Sequence, residues 1–451
     1  MPRALKKSVY AVSLGCPKNQ VDTEFLLGAL IAAGYRTVDR PEDAGVLLVN
    51  TCAFIQAAVE ESIETVLDLA DHKAAGLAWA VVVVGCLPER YREDLAEALP
   101  EADLVCGTGG LDDLPARLEA LRRGRTAAQE TWPKPGFAPR TAGPRLAAAP
   151  FWRAYLKIAE GCSNACSYCL IPRLRGPLKS RPEKALVEEA EVLVAGGVKE
   201  LILVAQDTTA YGLDLNRSDG LVGLVERLGK IDGLAWIRLM YAYPGRVTPT
   251  LIKVMAKQPK VCAYLDLPLQ HVSPRVLRAM GRKGSQNFMA LIRRLRKAMP
   301  DISLRTTLMV GFPGETDADF DRLMAFVLEA RFDHLGVFKF SPEQGTAAAK
   351  RSDQVPGRVK EIRRRKLMAV QRKISRAKNK ALVGKTLPVL VEGFSQETDL
   401  LLAGRTQGQA PDVDGVVYIT RGTAQPGEIR PVTITQAHDY DLAGELAEEE
   451  K

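Results

Sequence analysis

Long hydrophobic runs are missing from this chain of 451 residues. The longest apolar stretch, Leu77–Leu87, falls well short of the roughly 20 residues that cross a bilayer, so no membrane span is expected. Near the N-terminus, Lys6-Lys7 and the apolar Ser8–Leu14 lead into Gly15-Cys16. Pro17-Lys18-Asn19 then continue without the small-residue pattern of a signal cleavage site. Secretion is therefore not expected, and the compartment reads as cytoplasmic. In that compartment the eight cysteines speak for metal or redox chemistry rather than for disulfides. Histidine is scarce, with four residues, and none stands close to the densest cysteine group, Cys162–Cys169. That argues against a structural zinc site, which a fourth Cys or His at short spacing normally closes.

What is present is the material of a soluble globular protein, 46% hydrophobic and 26% charged. At about 150 residues per domain the length suggests roughly three domains. The net charge of +8 is compatible with nucleic-acid or ribosomal surroundings, and equally with solvated helix surface. The closing Glu448-Glu449-Glu450 reads as part of a solubilising tail.

The most informative stretch is Cys162-Ser163-Asn164-Ala165-Cys166-Ser167-Tyr168-Cys169. A strand-like run, Ala154–Glu160, enters it through Gly161. Three thiolates this close on a turning segment can hold three corners of an iron–sulfur cube and leave the fourth iron open to a small molecule. The competing readings are a zinc knuckle and unrelated buried cysteines.

Residues 1–125 alternate strand and helix. Ser8–Gly15, Ala44–Asn50, Ala80–Gly85 and Leu104–Cys106 read as strands; Val21–Ala33, Ala57–Ala70 and Arg90–Ala98 read as helices. Short apolar strands between helices predict a doubly wound parallel sheet. Cys16, Cys52 and Cys86 each follow one of the first three strands. In a parallel sheet those strand ends share one edge, the edge where such sheets bind ligands. The topology therefore predicts a second three-cysteine iron–sulfur site, against the alternative of three small buried residues. Cys106 is a weaker candidate for a fourth ligand, and Cys262 reads as core.

Residues 126–149, rich in Pro, Gly, Ala and Arg over Thr131–Ala149, read as a linker. Residues 150–378 add five more strand candidates, Glu200–Ala205, Ala235–Met240, Ala263–Leu267, Ser303–Val310 and His334–Phe340, separated by helices. With Ala154–Glu160 these make six β/α units, a partial barrel whose chemistry belongs on the loops after the strands. Gln206-Asp207, Tyr241–Pro244, Gln270-His271, Gly311–Glu315 and Ser341–Glu343 stand there. His271 is read as a wall residue rather than an acid or base. The basic Val359–Lys380 has apolar residues at helical spacing and reads as an amphipathic helix, either solvated or facing RNA. Residues 380–446 hold four or five short strands among glycine-rich turns, the pattern of a small barrel. An aromatic stacking platform is lacking there, with Phe394 and Tyr418 the only candidates.

The Cys162–Cys169 motif after a strand resembles the radical S-adenosylmethionine (SAM) superfamily. Gly15–Asn19, Asn50–Ile55 and Gly85–Leu87 resemble its methylthiotransferase family, and residues 380–446 resemble a TRAM domain. The resemblance implies two 4Fe-4S clusters, one on Cys162, Cys166 and Cys169 and one on Cys16, Cys52 and Cys86. It further implies SAM bordered by Gln206 and by the Gly311 and Gly314 turn, an electron donor, and a TRAM contact with RNA or a protein. Cys16-Pro17-Lys18-Asn19 and Tyr241-Ala242-Tyr243-Pro244 resemble the branch that modifies an aspartate of ribosomal protein S-twelve. The alternatives at this point are the branch that modifies tRNA adenosine, and a non-catalytic iron–sulfur RNA-binding protein.

Overall fold

The computed structural model describes residues 5–124, 132–136, 143–147, 150–215, 217, 219–282, 287–395 and 397–447. The tail acids Glu448–Glu450 and much of the stretch read as a linker lie outside them.

The first sheet comprises β1 (Ser8–Ser13), β2 (Arg36–Thr37), β3 (Val46–Thr51), β4 (Ala80–Gly85) and β5 (Leu104–Gly107), in the order β2-β1-β3-β4-β5. All its pairings are parallel. Its helices are α1 (Pro17–Ala32), α2 (Gln56–Ala74), α3 (Cys86–Tyr91), α4 (Glu93–Ala98) and α5 (Leu114–Arg122). Alternate strand residues serve opposite faces. Val46, Leu48, Val82 and Val84 pack with α1 and α5, whereas Leu47, Val49, Val81 and Val83 pack with α2 and α4. Burial on both faces is why these strands read as unbroken apolar runs. The single helix expected over Arg90–Ala98 is two, divided at Arg92, whose φ of 48° is left-handed.

The second sheet holds β6 (Arg153–Lys157), β9 (Glu200–Val204), β10 (Trp236–Leu239), β11 (Val261–Asp266), β12 (Ser303–Val310) and β13 (His334–Lys339). The strands stand in the order β13-β12-β11-β10-β9-β6, all parallel, as an open barrel of six β/α units. Between β6 and β9 a short antiparallel ribbon, β7 (Ala159–Glu160) with β8 (Lys179–Ser180), frames the cysteine loop. The helices are α6 (Ile171–Leu174), α7 (Glu183–Ala195), α8 (Gly220–Leu228), α9 (Pro249–Lys257), α10 (Pro274–Ala279), α11 (Phe288–Ala298), α12 (Asp317–Ala330) and α13 (Gly357–Lys380). The strand expected over Ala154–Glu160 is thus two strands in different sheets.

A closed barrel ends the described chain: β14 (Thr386–Phe394), β15 (Leu402–Thr406), β16 (Val417–Arg421), β17 (Ile429–Ala437) and β18 (Leu442–Leu446), ordered β14-β15-β16-β18-β17. Its loop between β15 and β16 caps the N-terminal ends of the large sheet. Ser303 donates to Gly408 O, the His334 ring meets the same carbonyl at 2.7 Å, and Arg153 forms two hydrogen bonds to Asp412. Deeper in, Glu200 is fully buried between Arg238 and Arg405. The opposite, C-terminal ends of the strands are left to face the first domain.

Candidate functional site

The two sheets present their C-terminal edges to each other across one cavity of about 530 Å³. Cys16, Cys52, Cys86, Cys162, Cys166 and Cys169 all line it. In a 2-1-3-4-5 sheet the ligand crevice opens where the strand order reverses, between β1 and β3. Cys16 and Cys52 follow those two strands. Gly15, at φ 89°, makes their approach workable, because a Cβ there would lie 2.5 Å from Cys52 Cβ and 2.8 Å from its Sγ. Asn19 locks the turns, donating from Nδ2 to Leu14 O and Thr51 O at 2.9 Å each. Thr51 in turn donates to Val84 O and receives Leu87 N, which fixes the end of β4 where Cys86 begins α3.

The other trio is held by the barrel. Cys162 N donates to Gly176 O at 3.0 Å, and Gly161 lies so near Pro177 O that any side chain would collide with it. Asn164 donates to Cys162 Sγ at 3.3 Å and to Asp207 at 2.9 Å, and Arg246 closes the triangle onto both Asn164 and Asp207. Ile171 N donates to Cys169 Sγ at 3.4 Å. Tyr168 receives Arg282 and packs edge-on against Phe312.

Burial pushes the Cys86 and Cys169 thiols up to about 12, and raises Cys52 and Cys162 as well. A cationic metal site would supply the charge that turns such thiols into thiolates. Among the described residues, no three His, Cys, Asp or Glu side chains close on one point as a single ion requires. The donor set is instead two thiol-only trios, which suits iron–sulfur clusters, whose corner irons stand apart. Gln206 also lines the cavity, and its buried Oε1 has no partner among the described residues, an acceptor placed for a ligand. These residues fit two clusters and a polar small molecule.

A buried charge network joins the trios. Arg175 donates from Nε to Cys86 Sγ at 3.3 Å, from Nη1 to Asp22 at 2.6 Å and Glu160 at 3.1 Å, and from Nη2 to Asn19. Lys157 pairs with Asp22 and, at 2.8 Å, with Glu160, which also receives Gln206. All four charged side chains are at most 3% exposed. Burial alone would raise the Glu160 carboxyl, but Lys157 and Arg175 hold it down to about 2. Sequence reasoning missed this network, since Asp22 and Arg175 are separated by 153 positions with no spacing signal. It also missed two non-glycine residues with left-handed backbone on the cavity wall, Tyr241 (φ 59°) and Gln270 (φ 69°). Such conformations persist where surrounding structure enforces them. Here Asp266 receives Tyr241 N at 3.0 Å, and the buried Lys18 ammonium lies 3.6 Å from the Tyr241 ring centre.

Other residues singled out in the sequence lie off this cavity. Gly311 and Gly314 do not line the cavity: their backbones, at φ 72° and 79°, turn against Lys360 and against Asp353 and Arg351. His271 is fully buried behind the wall, where Nδ1 receives Ser273 N and burial lowers the imidazole to about 4. Cys106 is buried, donates to Gly107 O and stands outside the cavity, and Cys262 is core.

Fold and cavity define the class, a radical SAM protein carrying a second cysteine trio. Residues 156–327 match the Radical SAM superfamily, 8–107 the Uncharacterized protein family UPF0004, and 383–447 the TRAM domain. The ribosomal protein uS12 methylthiotransferase RimO of Trichlorobacter lovleyi is 52% identical over the full length of both chains. That of Geobacter sulfurreducens is 50% identical, covering 98% of this chain and 99% of its own. The chain belongs to the family of the ribosomal protein uS12 methylthiotransferases. Among solved structures, the radical SAM methyltransferase TsrM of Kitasatospora setae shares the fold, with a TM-score of 0.56 at 15% identity over 74% of this chain and 75% of its own.

Proposed function

We propose that this protein places a methylthio group on the β-carbon of an aspartate of ribosomal protein uS12, with Cys162, Cys166 and Cys169 holding one 4Fe-4S cluster and Cys16, Cys52 and Cys86 the other. The observation that carries the reading is the shared cavity: two thiol trios from different domains face one space. When bound, the clusters and SAM supply the radical-forming reduction and the sulfur to be delivered, chemistry beyond any side chain.

The chain's own residues hold and aim these partners. Asn164, Asp207 and Arg246 fix the loop that carries Cys162. Glu160 fixes Gln206 from behind and leaves its free carbonyl to receive a donor from SAM. Tyr241, Tyr243 and Arg282 wall the space where the target carbon must lie, while Phe54, Ile55 and Ala58 make the opposite wall apolar and limit water. We place the domain divisions at 1–125, 150–378 and 380–446, with 126–149 as linker. An electron donor completes the partners, acting in the cytoplasm where ribosomes are assembled.

Mass spectrometry of uS12 from cells with and without the protein tests the reading. A methylthio increment on one aspartate should vanish on deletion. An increment that persists, with loss of a methylthio group from tRNA adenosine instead, would replace uS12 by tRNA as the substrate.

A further inference from the structure

The net charge of this protein is concentrated in one element. α13 carries eleven Lys and Arg residues and one acid, Glu361, a surplus of ten. The whole chain carries +8, so all other residues together are net −2. The segment that follows, residues 381–447, has four Lys and Arg against nine Asp and Glu, a net −5. A strongly basic helix thus adjoins an acidic barrel.

The surplus lies outward. Arg363, Leu367, Gln371 and Ile374 turn to the protein, whereas Arg358, Arg365, Lys366, Arg372, Lys373, Arg376 and Lys380 are exposed. Arg358, Arg365 and Arg372 recur every seven residues, so they share one face, which Arg376 and Lys380 continue. From Arg358 to Lys380 the row runs about 33 Å at 1.5 Å per residue. Little of it is neutralised. Glu361 serves Arg364 and Arg365, and Asp439 stands 3.8 Å from Arg372 and Arg376. Among the described residues, Arg358, Lys366, Lys373 and Lys380 have no acidic side chain within ion-pair distance.

We propose that the exposed face of α13, and not the β14–β18 barrel, is the RNA-contacting surface of this protein, gripping the phosphate backbone of structured RNA beside the protein substrate. The inference rests on the reading of uS12 as substrate, and specifies that the substrate is met in the company of RNA. A linear row of cations without aromatic partners suits phosphate contacts, which position without reading sequence. The acidic barrel repels the same polyanion. An acidic electron-donor protein would need a compact basic patch at the cavity mouth. The row instead runs away from it, from Lys360 beside Phe340 and Gly311 to Asn379 beside His438 of the barrel.

The test uses the full-length, cluster-loaded enzyme and a short fluorescein-labelled RNA duplex, titrated by anisotropy over a range of salt. Replacing Arg358, Lys366, Lys373 and Lys380 together by Gln should weaken binding at least about tenfold. It should also flatten the log–log salt slope by about 3 to 4, since each phosphate contact contributes about 0.9. A barrel control, Lys385→Gln with Arg421→Gln, should stay within about twofold. In the same preparations SAM cleavage and modification of free uS12 should be unchanged, while modification of uS12 in assembled small subunits falls. Undetectable duplex binding by the wild type, an unchanged slope in the helix variant, or a loss confined to the barrel control would overturn the proposal. So would a helix variant that keeps RNA affinity but loses reduction by a protein donor. If the wild type modifies no form of uS12, the substrate reading fails while the RNA measurements stand on their own.

Discussion

Each buried side chain around the cavity carries a definite cost if removed. Arg175 and Lys157 balance Asp22 and Glu160, two cations against two anions with almost no solvent. Arg175→Met would leave one buried negative charge uncompensated, a loss of about 3–5 kcal/mol measurable by denaturant unfolding. Gly15→Ala places a Cβ at a positive φ against Cys52, so the purified variant should lose iron from the N-terminal trio while SAM cleavage continues. Replacing Cys16, Cys52 and Cys86 by Ala should leave about half the iron and SAM cleavage without product. The same change at Cys162, Cys166 and Cys169 should abolish cleavage; iron content and 5'-deoxyadenosine yield read both. His271 supplies a pH dependence. Burial holds it near 4 in the folded state against 6.5 in the free group, so between those values the unfolded chain binds the extra proton. Stability therefore falls as pH drops from 6.5 towards 4, by up to about 3 kcal/mol. His271→Gln should flatten the upper half of that fall in urea midpoints measured at successive pH values.

Among elements, those with strong periodicity were legible and those defined by distant partners were not. β4 matches its apolar run, Ala80–Gly85, because burial on both faces needs no polar residue. α12 over Asp317–Ala330 carries a Thr316–Asp319 capping box that marks its start. β2, a two-residue strand of exposed Arg36 and Thr37, has no hydrophobic signature and exists only by pairing with β1. α9 begins at Pro249 after a Thr248 cap, a start signal written in the sequence itself. The cysteine positions could be read because strand ends of a parallel sheet share an edge whatever the sequence distance. The Arg175 network could not, because no local rule links a loop arginine to a helix in another domain. The linker reading illustrates the same limit: Arg145, in a stretch without periodicity, is buried between Glu24 of α1 and Glu189 of α7.

For the whole molecule, the closed barrel is fastened by charge as well as by packing. Glu200 is buried between Arg238 and Arg405, and although burial opposes its ionisation, Arg405 and Arg238 hold it down to about 2. With a free value of 4.5, that contribution is fully present above 4.5 and fades as pH falls towards 2. Arg405→Met removes one of its two partners and one of the links between barrel and sheet. The closed barrel of that variant should become a preferred site of limited proteolysis, with unfolding about 3–5 kcal/mol easier.

The Asp22–Lys157–Glu160–Arg175 quartet has a consequence for engineering. Its two pairs to Glu160 lie within the barrel domain, whereas the two to Asp22 and the Arg175 bond to Asn19 cross to α1, and the Arg175 bond to Cys86 crosses to α3. The first domain therefore cannot be exchanged as a free-standing cassette. A chimera that imports a foreign first domain lacking Asp22 and Asn19 leaves Lys157 and Arg175 with Glu160 as their one shared anion, a buried positive charge in excess. One that carries all the members across together keeps the seam neutral.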